Sequence, residues 1–388
     1  MPDPAAPLRE AVAAGAVPGV VALAADRGGE IYRGAFGRRG VDSDAAMTPD
    51  TVFWIASMTK AVTSVLAMQL VEEGRLALDA PLGALLPGLA APRVLTGFDA
   101  AGQPLLRPAR RAITLRHLLT HTAGFSYNTW NADIARYMEA TGLPATRSGR
   151  LAALDAPLVF DPGERWEYSI ATDWVGRAVE AAGGERLEAA VQRRLAGPLG
   201  MADTGFVPGA AQRARRARGL GRGAGGALGA IEGPPAPESV PPEGRGGGGG
   251  LLSTGPDYLR FLRMLLGGGA LEGTRILQPE TVAEMGRNQI GGLEFRAMRS
   301  VLPAMSNDFD PFPGVVKHWG LGFLINEGDI PGRRAAGSLA WAGLGNTWFW
   351  LDPRSGVAGV LLTQILPFAD APVLDLLGRF EAAVYRGL

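Results

Sequence analysis

The tetrad Ser57-Met58-Thr59-Lys60 places a hydroxyl and an amine three residues apart. On a helix that spacing puts both groups on one face, one turn apart, so the amine can reach the hydroxyl and draw off its proton. Thr51-Val52-Phe53-Trp54-Ile55 is β-branched and aromatic and reads as extended, while Ala61 to Val71 reads as an almost wholly apolar helix ended by Gly74. A strand would thus deliver Ser57 to the first turn of a buried helix. The unpaired N–H groups and positive dipole end of that turn favour negative charge developing on a substrate oxygen, a geometry suited to acyl transfer.

A Ser-x-x-Lys tetrad alone is a weak signal, because ordinary composition produces one by chance. Lysine usage adds weight: of 38 basic residues, all but Lys60 and Lys317 are arginine. Guanidinium does not deprotonate whereas a desolvated amine does, so a lysine kept in such a chain marks a place where arginine cannot serve.

With 388 residues, 47% of them hydrophobic, and 56 glycines, the chain can bury a large core as two domains or as one domain with a large insertion. A formal net charge of zero gives no basic field to draw it to nucleic acid or an anionic membrane. The absence of cysteine excludes disulfides, thiolate metal sites and a cysteine nucleophile; neither metal nor cofactor is expected. Met1-Pro2-Asp3-Pro4 is not a basic start to an apolar core, and no apolar stretch approaches the roughly 18 residues of a membrane span, so a cytoplasmic location with no membrane partner is expected.

Ala5 to Ala14 is helical in pattern, and Val20-Val21-Ala22-Leu23-Ala24 and Glu30 to Gly37 form a hairpin about Arg27-Gly28-Gly29. After the Ser57 helix, residues 76–249 show helical periodicity with little strand signal: Thr114 caps a short helix to Leu119, and Trp174 to Leu195 is an amphipathic helix broken near Gly183-Gly184. From Pro208 to Gly250 arginines, prolines and then glycines Gly246 to Gly250 dominate. An RNA-touching segment and a surface loop covering the helical part are both readings of this stretch; without interleaved aromatics the loop is favoured. Thr254 opens a capping box for helix Tyr258 to Leu266. Leu339-Ala340-Trp341, Asn346 to Leu351 and Val357 to Thr363 read as strands, and Ala371 to Tyr385 as a closing helix. Strands at both ends and helices between them predict an α+β fold, an antiparallel sheet flanked by helices with a helical inserted subdomain. The domains are then 1–75 with 250–388, and 76–249, with the cleft at their interface.

A serine nucleophile also needs an oxyanion site and usually a second proton carrier. No Gly-x-Ser-x-Gly elbow is present, and the histidines are His117 and His121 in the helical part and His318 on a turn. His121 reads as structural rather than as a base. A Pro162-Gly163 turn leads Tyr168 out of a loop just before the amphipathic helix; a phenol beside an ammonium can accept and return a proton. Trp341-Ala342-Gly343-Leu344 sits on a strand where small residues let substrate approach the backbone.

Ser57-Met58-Thr59-Lys60, Tyr168-Ser169-Ile170 and Trp341-Ala342-Gly343, in that order, resemble the serine β-lactamase and penicillin-binding protein superfamily, nearest to the family VIII carboxylesterases, relatives of class C β-lactamases. The likeness extends to Leu118-Leu119-Thr120-His121-Thr122-Ala123-Gly124, Phe160-Asp161-Pro162-Gly163, Gly250-Leu251-Leu252-Ser253-Thr254 and Asn346-Thr347-Trp348-Phe349, and so covers nearly the whole chain. It implies a β-lactamase/transpeptidase-like fold with Ser57 as nucleophile forming an acyl-enzyme. Lys60 and Tyr168 would share the general-base and general-acid work, the backbone N–H groups of Ser57 and Leu344 would form the oxyanion hole, and Tyr127 would line the pocket near the nucleophile.

The chain departs from the β-lactamase pattern at two positions. Trp341 stands where Lys-Thr-Gly would put an ammonium, and Ile170 where the tyrosine motif often ends in asparagine. Both changes remove partners for an anionic substrate. Ile170, Trp341, Ala342 and Gly343 are accordingly expected to contact substrate, and a small-molecule ester with a short or medium acyl chain is expected as that substrate. A β-lactamase, a D-amino acid amidase or peptidase, or an acyltransferase could use the same machinery, and a non-catalytic binder could keep the fold.

Overall fold

The computed structural model describes residues 3–223, 225–231 and 240–388. Its centre is a seven-stranded antiparallel sheet ordered Lys317–Trp319, Leu324–Asn326, Ser338–Gly343, Thr347–Asp352, Val357–Leu362, Gly19–Asp26, Glu30–Gly37. The N-terminal and C-terminal parts of the chain meet inside it, where Val21 pairs with Leu362 and Asp26 with Val357. Strands 19–26 and 357–362 are buried apolar runs because both faces of the sheet are covered.

Side-chain alternation shows what covers each face. Phe349 packs on Tyr258 of helix Gly255–Leu266, whose first residue sits so close to the sheet that a Cβ there would stand 2.4 Å from Leu23. Trp350, the next residue, points the opposite way and meets Phe380 of the closing helix Ala371–Arg386, which also packs on Tyr32. Glycine is required at 359 because the Trp350 ring lies across it, 2.2 Å from where a Cβ would be.

Helix Thr59–Glu72 is buried on nearly every side, as its lack of a polar face demands, and it packs along helix Ala171–Gly183. Helices Leu115–Leu119, Ala132–Thr141 and Leu187–Val191 complete the middle of the chain. Thr114 caps the first of these by accepting from the His117 amide, and Gly184, at φ 69°, ends helix 171–183.

Several expectations need correction. Arg93–Phe98 and Pro104–Pro108 form a hairpin in the part read as helical. His318 lies on the edge strand Lys317–Trp319, not on a turn. The stretch read as a surface loop contains helix Ala210–Ala214 and strands Leu220–Arg222 and Leu228–Ala230, which form a small sheet with Ile365–Leu366. Part of that stretch, Ala224 and residues 232–239, lies outside the described residues. Several of its arginines are paired: Arg215 with Asp203 and Asp50, the exposed Arg218 with Asp42, and Arg222 with the buried Asp370. Among the described residues no helix is long and apolar enough to cross a membrane, and no group of acidic, histidine or cysteine side chains is arranged to hold a metal.

Candidate active site

The extended run predicted before Ser57 is a two-residue strand, Phe53–Trp54, paired with Leu252–Ser253 outside the main sheet. What fixes it is a clamp: the Gln364 side chain accepts from the Trp54 amide at 2.8 Å and donates to the Trp54 carbonyl at 3.2 Å. Ala56 follows in the left-handed region at φ 44°, a conformation a non-glycine residue keeps only when its surroundings impose it. Ser57 then sits in the 3-10 turn Ala56–Met58 that leads into helix Thr59–Glu72. Further bonds pin the turn: Tyr258 donates to the Met58 carbonyl at 2.9 Å, Thr347 to that of Ile55 at 3.3 Å, and the Ile55 amide donates to Leu251 at 3.1 Å.

Lys60 is 1% exposed. Its Nζ lies 3.2 Å from Ser57 Oγ, 3.1 Å from the Tyr127 hydroxyl and 2.7 Å from the Gly248 carbonyl oxygen. A carbonyl can only accept, so one N–H is committed to Gly248. A neutral amine has one more N–H, which can go to Tyr127, and a lone pair, which is left for the Ser57 hydroxyl. Burial, with the Asp173 carboxylate and Tyr168 close by, pushes the Tyr127 phenol well above its usual range, so it is present as the neutral phenol. The other lysine, Lys317, is spent on an ion pair with Asp310 at 2.6 Å.

Tyr168 is buried, with the Lys60 Nζ 4.8 Å from its ring centre. Its hydroxyl oxygen accepts from the Trp341 indole N–H at 3.0 Å. His121 stands behind it, ring centres 4.8 Å apart, bonded through Nδ1 to Ser169 Oγ at 3.1 Å. Burial and the nearby Lys60 push this imidazole well down, which keeps it neutral.

The cleft in front of Ser57 has a volume of about 590 Å³. Ser57, Tyr127, Tyr168 and Leu344 all line it, with Trp54, Trp130 and Leu252 as apolar wall. Leu344 follows the last ladder pair, Gly343 with Thr347, so its N–H lies beyond the strand ladder. Gly343 presses the strand end onto the nucleophile turn, since a Cβ there would be 2.3 Å from the Ile55 carbonyl. Asn346, at φ 56°, holds the following turn by donating to Ile365 and Pro367 at 2.8 Å each.

Ile170, Trp341, Ala342 and Gly343, expected to contact substrate, are not among the cleft-lining residues. Ile170 is the buried N-cap of helix 171–183, and Trp341 stands one layer back, its single N–H engaged on Tyr168. The reason is geometric: every residue of strand 338–343 is buried beneath neighbouring elements, and only the turn after it emerges.

Sequence reasoning also missed the glycine run. The carbonyls of Gly247, Gly248 and Gly249 accept in succession from Thr63 Oγ1 at 2.8 Å, Lys60 Nζ at 2.7 Å and Trp54 Nε1 at 2.7 Å. Side chains at most of these positions would collide: a Cβ at Gly246 or Gly248 with Asp173 oxygens at 2.2 and 2.5 Å, at Gly247 with the Thr172 carbonyl at 2.9 Å, and at Gly250 with Phe206 at 2.7 Å. Asp173 was missed as well. It lines the cleft, and its only sequence signal, an acidic residue in the first turn of a helix, is ordinary.

A covered antiparallel sheet with a serine-lysine pair at the start of a buried helix defines a serine enzyme of the β-lactamase and penicillin-binding protein type. The chain matches the Beta-lactamase family model over residues 5–383 and belongs to that family. It is 34% identical to the lovastatin esterase of Penicillium rubens, over 97% of this chain and 96% of that one. It is 36% identical to the monacolin J acid methylbutanoyltransferase of Aspergillus terreus, over 97% and 94%. Unliganded simvastatin synthase from Aspergillus terreus has the same fold, with a TM-score of 0.86 at 33% identity, covering 100% of this chain and 99% of that one. The protein is a serine hydrolase-type enzyme, similar to esterases and acyltransferases.

Proposed function

We propose that the enzyme is a carboxylesterase that cleaves uncharged esters through an acyl-enzyme on Ser57. The observation that carries this reading is the 3.2 Å approach of Lys60 Nζ to Ser57 Oγ, with a carbonyl occupying another side of the same nitrogen. The Ser57 proton passes to the Lys60 amine as Oγ bonds to the ester carbonyl carbon. The resulting oxyanion is held by the N–H groups of Ser57 and Leu344. As the tetrahedral species collapses, the C–O bond to the alcohol breaks. The departing alkoxide takes up the proton held on Lys60, passed through the Tyr168 phenol or given directly. Attack by a second hydroxyl reverses these steps and frees Ser57.

The substrate class follows from the walls. Trp54, Trp130 and Leu252 offer apolar surface to the cleft, and the indole at position 341, one layer behind it, has its donor already used on Tyr168 and stands where an ammonium would otherwise recognise a carboxylate. Water as the second hydroxyl gives an esterase; an alcohol gives an acyltransferase. The methylbutanoyltransferase relative favours keeping the second reading alongside the first.

With p-nitrophenyl butyrate the protein should release a burst of p-nitrophenol stoichiometric with enzyme, and Ser57→Ala should abolish it. Full turnover by Ser57→Ala would refute the mechanism. Added alcohols separate the two readings, since a transferase forms new ester at the expense of free acid. Nitrocefin should be a much poorer substrate than the ester by kcat/KM.

A further inference from the structure

The base in this scheme is held by backbone, and something must hold the backbone. Gly248 is bonded at both ends: its carbonyl accepts from Lys60 Nζ at 2.7 Å, and its N–H donates to Asp173 Oδ1 at 2.9 Å. Asp173 sits in the first turn of helix Ala171–Gly183, where a carboxylate commonly complements the positive end of its own helix. Here that oxygen takes an amide from a segment 75 residues away in sequence. The glycines on either side close round it, leaving no room for a Cβ at Gly246 or Gly248. Burial raises the Asp173 carboxyl above its usual range, while Lys60 and the Gly248 amide act in the opposite direction, favouring the anion.

We propose that Asp173 is a positioning residue for the proposed Lys60 base: by anchoring Gly248 it aims the carbonyl that orients Nζ, and its carboxylate charge acts on that amine. This rests on the serine-lysine mechanism above. The titratable and charged groups around Asp173 are Lys60, Tyr127 and Tyr168 on the cleft side, with Arg150, Arg177, Glu180, Glu243 and Arg245 around a small void behind the glycines. Lys60 and the Gly248 amide are the favourable influences on its charge, so Lys60 should report the loss of that charge.

The test uses two variants of the full chain, with kcat, KM and their pH profiles measured on p-nitrophenyl butyrate. Asp173→Asn keeps an acceptor for the Gly248 amide but removes the charge. An anion beside an amine favours its protonated form, so removing it should move the ascending limb of kcat/KM to lower pH with the melting temperature unchanged. Asp173→Ala removes the anchor and should lower kcat roughly tenfold or more with less change in KM. If Asp173→Ala does not fold, the Asp173→Asn profile decides alone. A wild-type pH profile in Asp173→Asn, with Ser57→Ala inactive, overturns this inference and leaves the serine-lysine mechanism standing. Turnover by Ser57→Ala overturns both.

Discussion

The nucleophile turn, residues 51–60, and the glycine run, residues 246–250, contribute to the same site in opposite ways. The turn presents side chains, a hydroxyl and an amine whose types announce their chemistry. The run has no side chains, and acts through three successive carbonyls given to Thr63, Lys60 and Trp54 and through one amide given to Asp173. Each region depends on the other, because the carbonyl that orients the amine belongs to the run. A catalytic group is thus set by chemistry read from side chains and by geometry supplied from backbone. Only the first of these has a sequence signature.

The sharpest break in this comparison is Lys60→Arg, which puts a longer, permanently charged guanidinium where the scheme needs an amine that can give up its proton. A loss on the order of a thousandfold in kcat/KM is expected with folding intact, and near-normal rates would move the base elsewhere. Next in size is Tyr168→Phe, expected to cost about a hundredfold in kcat if the phenol carries the proton to the leaving group. Tyr127→Phe, which removes one bond to Nζ, should cost only about tenfold; a reversal of that order would exchange the two roles.

The run itself is tested by two alanines. At Gly247 a Cβ would meet the Thr172 carbonyl and Thr63 at 2.9 Å, whereas at Gly249 the nearest atoms are 3.8 Å away. Gly247→Ala should lower turnover roughly tenfold while Gly249→Ala stays within about twofold of wild type. Equal effects would mean the run is only a flexible linker.

The smallest expected effect concerns Asp257, which anchors the segment after the run by accepting from Thr204 Oγ1 at 2.9 Å and from the Asp203 amide at 2.8 Å. Burial raises its carboxyl from 3.8 to about 6. A folded-state value above the unfolded one means the folded protein holds the proton more tightly. The stability this group contributes is therefore complete below about pH 4 and is lost as pH rises through about 6. Urea titrations should show Asp257→Asn flattening that part of the pH dependence; an unchanged slope would remove Asp257 as its source.

Much of the molecule was legible because its signals are local. Short apolar, β-branched and aromatic runs marked strands 19–26, 338–343 and 347–352, and caps and glycines bounded the helices. The hairpin at 93–108 was missed because its strands are short and half exposed, and the order within 208–231 because its pairing partner, Ile365–Leu366, lies far along the chain. The indole of Trp341 was expected in the cleft, since spacing places a residue on a strand but cannot tell which neighbours bury it.

By itself the sequence marked the candidate reactive groups, Ser57, Lys60 and the tyrosines, together with the antiparallel sheet and the helix that presents them. Tertiary structure alone decided that Tyr127 hydrogen-bonds the amine while Tyr168 lies with its ring beside it, that Trp341 serves the phenol, and that Gly248 and Asp173 line the site. These depend on contacts between segments tens to hundreds of residues apart. Hydrogen bonds to peptide groups carry no residue identity that a sequence could display.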